Sequence, residues 1–145
     1  MRWACLLGLA LISSAIAAPV PKALKKQDDL AKLQGTWEIV SLDTGAGSQV
    51  QTGDFATFKL IVTEEKLSSS VQSGGGWKNL SIKLDPTATP KRLDLEISPG
   101  NWSPCIYEFD GETLKFVEAS GGKIPPAEFL GGNGNNYFVW KKMKD

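Results

Sequence analysis

The sequence predicts an all-β fold, an eight-stranded antiparallel up-and-down barrel with a short N-terminal helix. Two observations carry this. Beyond Gly35, apolar residues recur with a period of two in one short run after another, and turn-forming residues separate the runs. Each run also has one apolar and one polar face, so every strand needs a single covered side. Closing eight strands buries that side and removes exposed edges. An open two-sheet sandwich satisfies the same pattern and stays as the alternative.

The chain begins with what reads as a signal peptide over residues 1–17. Arg2 supplies the positive charge, Ala4 to Ile12 is apolar apart from Gly8, and Ala15-Ile16-Ala17 offers small residues for cleavage before Ala18. The apolar run is too short to span a bilayer, so no stable membrane insertion is expected after cleavage. Cys5 lies at the start of the apolar run, not after it, and does not read as a lipid-attachment site. The expected organisation is leader 1–17, linker 18–27 and one domain 28–145, exported to the periplasm or the extracellular space.

In the linker, Pro19-Val20-Pro21-Lys22 reads as extended, because each proline disfavours helix at the residue before it. Lys25–Leu33 has helical propensity, with Leu30 and Leu33 on one face, and Gly35 ends it. The first strand is Thr36–Leu42. In Ala56–Glu64, Phe58, Leu60 and Val62 share one face and Thr57, Lys59 and Thr63 the other. Lys66–Gln72 is serine-rich, with Leu67 and Val71 together. After Gly74-Gly75-Gly76, Trp77–Leu84 sets Leu80, Ile82 and Leu84 against Ser81 and Lys83. Arg92–Ser98 sets Leu93, Leu95 and Ile97 against Asp94 and Glu96. Cys105–Phe109 and Thr113–Glu118 flank Asp110-Gly111, a hairpin signal because glycine accepts positive φ. Tyr137–Met143 is the last strand.

Composition narrows the chemistry. Lys and Arg total 16 against 16 Asp and Glu, and losing Arg2 with the leader tips the balance slightly acidic. Nucleic acid is not an expected partner, since its binding needs clustered cations. With Cys5 removed, Cys105 has no partner for a disulfide and reads as a small buried hydrophobe. There is no histidine, the commonest general base and metal ligand. Ser68, Ser69 and Ser70 thus lack an activating imidazole, and no spacing suits a metal. Acidic pairs at Asp28-Asp29, Glu64-Glu65 and Asp94/Glu96 read as a helix start, a turn and a polar strand face, all solvated. The glycine-rich stretches Gly74–Gly76 and Gly131–Asn136 read as strand connections. No catalytic residue, metal or cofactor is expected.

Four motifs point further: Leu33-Gln34-Gly35-Thr36-Trp37-Glu38, Lys83-Leu84-Asp85-Pro86-Thr87, Pro90-Lys91-Arg92-Leu93-Asp94-Leu95, and Ile106 to Lys115 around Asp110-Gly111. Gly35-Thr36-Trp37 resembles the Gly-x-Trp signature of lipocalin-like (calycin) barrels. Together, the motifs from about Leu30 to the C-terminus resemble a family of small exported lipocalin-like domains of planctomycete bacteria, mostly of unknown function. The resemblance implies that the indole of Trp37 closes the barrel floor, that Gly35 lets the backbone pass close by, and that a C-terminal cation packs over the ring. Gly35, Trp37 and Lys141 form the expected signature set, with Lys142 as the other candidate cation. Where the family carries Arg-Pro before Glu-Phe this chain has Pro125-Pro126-Ala127-Glu128-Phe129, and lysine replaces the family's final arginine.

The expected function is binding of a small apolar ligand or a cell-envelope component, without catalysis, by a monomer. The expected lining is the barrel interior: Phe58, Leu60, Val62, Leu80, Ile82, Tyr107 and Phe116. Those rings can equally fill a small barrel completely. Trp77 and Trp102 fall in loop-like settings, suited to a partner, a sugar or a cap on the barrel end. The alternative is a protein-interaction module, such as a barrel-type protease inhibitor that uses a free segment Ala18–Lys26.

Overall fold

The computed structural model describes residues 19–45, 49–51, 58–70, 76–119 and 124–144, with backbone alone for 49–51. The leader, Ala18, Val71 and Gly74-Gly75 lie outside the described residues. A helix α1 (Lys22–Leu33) leads into β1 (Gly35–Asp43), followed by β2 (Gln49–Gln51), β3 (Lys59–Thr63), β4 (Lys66–Ser69), β5 (Leu80–Asp85), β6 (Arg92–Ser98), β7 (Asn101–Asp110), β8 (Thr113–Ala119) and β9 (Asn135–Lys142). From β3 onward each strand pairs antiparallel with the next, and β9 returns to β1. On its other edge β1 pairs with β3 through Gly35–Glu38 and with β2 through Ser41–Asp43, so β2 and β3 share one place in the ring. The result is a closed eight-strand antiparallel barrel.

Alternation decides which side chains fill it. On β8 and β9, Leu114 lies opposite Trp140, Phe116 opposite Phe138 and Glu118 opposite Asn136, so all six share the inner face. On β7, Cys105, Tyr107 and Phe109 face the same way. The register of β1 slips between Ile39 and Ser41. This bulge lets the chain bring both Ile39 and Leu42 inward while Val40 stays exposed. The core is one continuous cluster running from Leu33 and Trp37 to Phe138 and Trp140. Cys105 is fully buried, as its character as a small hydrophobe predicts. Burial, then the neighbouring Glu118 charge, push its thiol well above the ordinary range.

Several elements differ from the sequence expectation. The helix starts at Lys22, not Lys25: Pro21 takes the N-cap position, where its missing N–H costs nothing, and its carbonyl accepts the Lys25 amide. Asp28 and Asp29 therefore sit past the middle of α1 and do not start it, and Asp29 is buried. Strand β5 begins at Leu80, leaving Trp77 outside it, whereas β7 begins at Asn101 and takes Trp102 into the sheet. On the outer face the Lys83 ammonium stands 3.5 Å from the centre of the Trp102 ring. Glu64 sits at φ 54° in the tight β3–β4 turn, and Gly111 at φ 61° makes the expected β7–β8 hairpin.

The two ends of the barrel are unlike. At the α1 end the connections 64–65, 86–91 and 111–112 are short. At the other end the links from β1 to β3, from β4 to β5 and from β8 to β9 are long, and only the turn between β6 and β7 is tight.

Candidate functional site

Helix α1 shuts one end by burying Leu33 and Asp29 against the barrel. Its last carbonyls find partners there: Trp37 Nε1 donates to Leu33 O at 2.9 Å, and Lys142 Nζ donates to Lys32 O at 2.9 Å. The Gln34 side chain ties the helix to the β3–β4 turn, donating to Leu30 O and Glu64 O and accepting from the Glu64 amide. Lys26 pairs with Glu65 and Lys22 with Asp85, so the first half of α1 is held to the barrel rather than free. These exposed pairs add little each, but they fix the direction of the helix.

Asp29 is the polar centre of this closed end. Its Oδ2 accepts from the Tyr107 hydroxyl at 2.8 Å and from Lys91 Nζ at 2.7 Å. Burial, then the bond to Asp29, hold the Tyr107 phenol far above its ordinary range. This neutral phenol is a donor, and the trio fastens helix to sheet. Beside it, an open groove lies between α1, residues 86–91 and Phe129.

Among the described residues the opposite end is open. A solvent-facing pocket of about 220 Å³ is lined by Leu42, Thr44, Phe58, Ser69, Trp77, Glu118, Asn136 and Phe138. The Trp77 ring meets Phe138 edge-on at 5.5 Å and Phe116 at 5.9 Å, and Phe138 stacks on Trp140 at 5.7 Å. Ser69 anchors Trp77 twice: its Oγ accepts the Trp77 amide at 2.8 Å, and its amide donates to the Trp77 carbonyl at 2.7 Å. Below, Trp140 Nε1 is buried with no acceptor among the described residues.

Glu118 is the charged group of this pocket. Burial raises its carboxyl above the usual range, against hydrogen bonds from the Asn136 and Trp77 side chains that favour the ionised form. Of the described ion pairs, none includes Glu118. Among the described residues no three His, Cys, Asp or Glu side chains gather as a metal cluster.

The residues expected to line a ligand cavity separate into two groups. Leu60, Val62, Ile82, Tyr107 and Phe116 are buried in the packed core, and Leu80 is half-buried against it. Phe58 lines the open-end pocket. Tyr107 stands at the closed end, tied to Asp29. Among the signature residues, Trp37 is buried and Gly35 adopts φ 103° beside the Lys142 side chain. The cation over the Trp37 ring is Lys142, at 5.2 Å. Lys141 is exposed, because it alternates with the inward Trp140 and Lys142.

Sequence reasoning did not pick out Leu42, Ser69, Glu118 or Asn136. For Glu118 a signal exists, a carboxylate in phase with the inward Leu114 and Phe116. Set against protein-family models, curated proteins and solved structures, the chain matches none.

Proposed function

We propose that this chain is an exported lipocalin-like barrel, of the kind found in planctomycete bacteria, that binds a small ligand at its open end without catalysing a reaction. The observation that carries this reading is the contrast between the ends. One is plugged by α1 over a packed core, and the other holds an aromatic-floored pocket with convergent polar groups. At about 220 Å³ the pocket lies below the ~300–1,000 Å³ that holds drug-sized ligands, so it suits a compact one. The site therefore moves from the barrel interior to its mouth. The absence of histidine in the sequence supports binding over acid–base chemistry. A free N-terminal inhibitor segment is the weaker reading, since Lys22 and Lys26 are engaged by the barrel.

Filling the mouth tests the site. Leu42→Trp should abolish binding of a neutral apolar probe such as benzyl alcohol in calorimetry, with a stability loss of about 1–3 kcal/mol from overpacking. Asp94→Asn, on the outer face, should leave binding unchanged. Probe binding that survives Leu42→Trp in a folded protein contradicts the placement. Export is tested by intact mass: secreted protein should begin at Ala18 or one or two residues later, and retention of Met1 contradicts it.

A further inference from the structure

Among the described residues that line the mouth pocket, one is ionisable, Glu118. Asn136 and Trp77 line the same pocket beside it, and their polar side chains favour its ionised form. A carboxylate has room for about four hydrogen bonds, so two such neighbours leave it capacity for another partner. Thr44 and Ser69 add neutral polar groups, and the rest of the wall is aromatic or apolar: Phe58, Phe138, Leu42 and the Trp77 ring itself. Aromatic faces carry negative electrostatic potential, and a cation set against them is attracted without ion pairing. Carboxylate and ring faces thus favour the same sign of charge. They work against the opposite sign, so a fatty acid or any other carboxylate ligand would face repulsion in a partly desolvated site.

We infer that the mouth pocket takes a small organic cation, a protonated amine or quaternary ammonium on a compact apolar body, with Glu118 as its counter-charge and Trp77, Phe58 and Phe138 as its aromatic wall. This rests on the open-end binding reading and narrows the class of ligand within it. The charge complement is local. The described ion pairs engage Asp29, Glu65, Asp85, Asp94 and Asp110, and all of them leave Glu118 to the pocket. The small size of the pocket matches one ring or a branched alkyl group bearing one ammonium, not a chain lipid.

Three probes of one shape and different charge test this: benzylamine, benzyl alcohol and benzoate, titrated into the protein at neutral pH. Benzylamine should bind at least about tenfold more tightly than benzyl alcohol, with benzoate weakest, and its advantage should shrink as salt rises. Glu118→Gln should bring benzylamine to the level of the alcohol and leave the alcohol within about twofold. The wild-type series decides by itself should that variant fold poorly. Equal binding of amine and alcohol, or an amine advantage that survives Glu118→Gln, overturns the cation inference while leaving open-end binding in place. Failure of all three probes to bind overturns both.

Discussion

The Lys142 ammonium lies 5.2 Å from the centre of the Trp37 ring and donates at 2.9 Å to the Lys32 carbonyl in the last turn of α1. One side chain thus links the final strand, the first strand and the helix C-terminus, where a cation also complements the helix dipole. The same indole donates to Leu33 O.

Lys142→Ala should cost about 1–2 kcal/mol, combining the cation–π contact and the helix-end interaction. Lys141→Ala, one residue away on the outer face, should stay within about 0.5 kcal/mol. Urea midpoints of the two variants make the comparison. Equal effects would mean that the cation over Trp37 does not brace the floor.

Trp37→Ala should cost about 3–5 kcal/mol, as for other large core truncations. A loss under about 1 kcal/mol in equilibrium unfolding would show that Trp37 does not close the barrel.

Two buried groups of the barrel also give a pH signature. The Cys105 thiol and the Tyr107 phenol both titrate above their ordinary values of 9.0 and 10.0, for burial in each case. The fold therefore prefers their neutral forms, and the stability this gives is full below those ordinary values and lost as pH rises beyond them. Urea midpoints should fall from about pH 9 upward. Tyr107→Phe should remove the phenol's share of that fall. Near neutral pH it should cost about 1–3 kcal/mol, because Asp29 loses a donor. An alkaline profile identical to wild type would contradict the role given to Tyr107.

Glu118 carries the opposite cost. Its carboxyl titrates above the ordinary 4.5, so its favourable contribution is complete below that value and is lost as pH rises through the folded-state value. Ionised Glu118 therefore weakens the ligand-free fold near neutral pH. Glu118→Gln should raise the urea midpoint at about pH 7, and the gain should vanish by about pH 4. A variant less stable than wild type at neutral pH would place Glu118 among the structural groups of the barrel.

The strands were legible because each keeps one face apolar, and alternation alone places Phe58, Leu60, Val62, Leu80 and Ile82 inward. Continued to the end of β9, the same alternation carries Phe138 and Trp140 to Lys142, not Lys141. What periodicity did not carry was the difference between filled and open ends. An inward ring at Phe116 packs the core and an inward ring at Phe58 lines a pocket, yet both have the same place in the pattern. Asp29 looked solvated because a helix start at Lys25 puts it near the N-terminal turn. With the start at Lys22 it joins the buried face of Leu33, beneath a tyrosine from β7 that is distant in sequence. The bulge at Val40, which re-phases Leu42 into the mouth, has no glycine to announce it.

The central claim is that a ligand enters at the end opposite α1. The direct measurement is a residue-resolved NMR shift map on adding benzyl alcohol. Perturbations should centre on Phe58, Ser69, Trp77, Asn136 and Phe138 and leave Asp29, Leu33, Trp37 and Tyr107 unmoved. Shifts concentrated around Trp37 and Tyr107, or none at saturating probe, would contradict it.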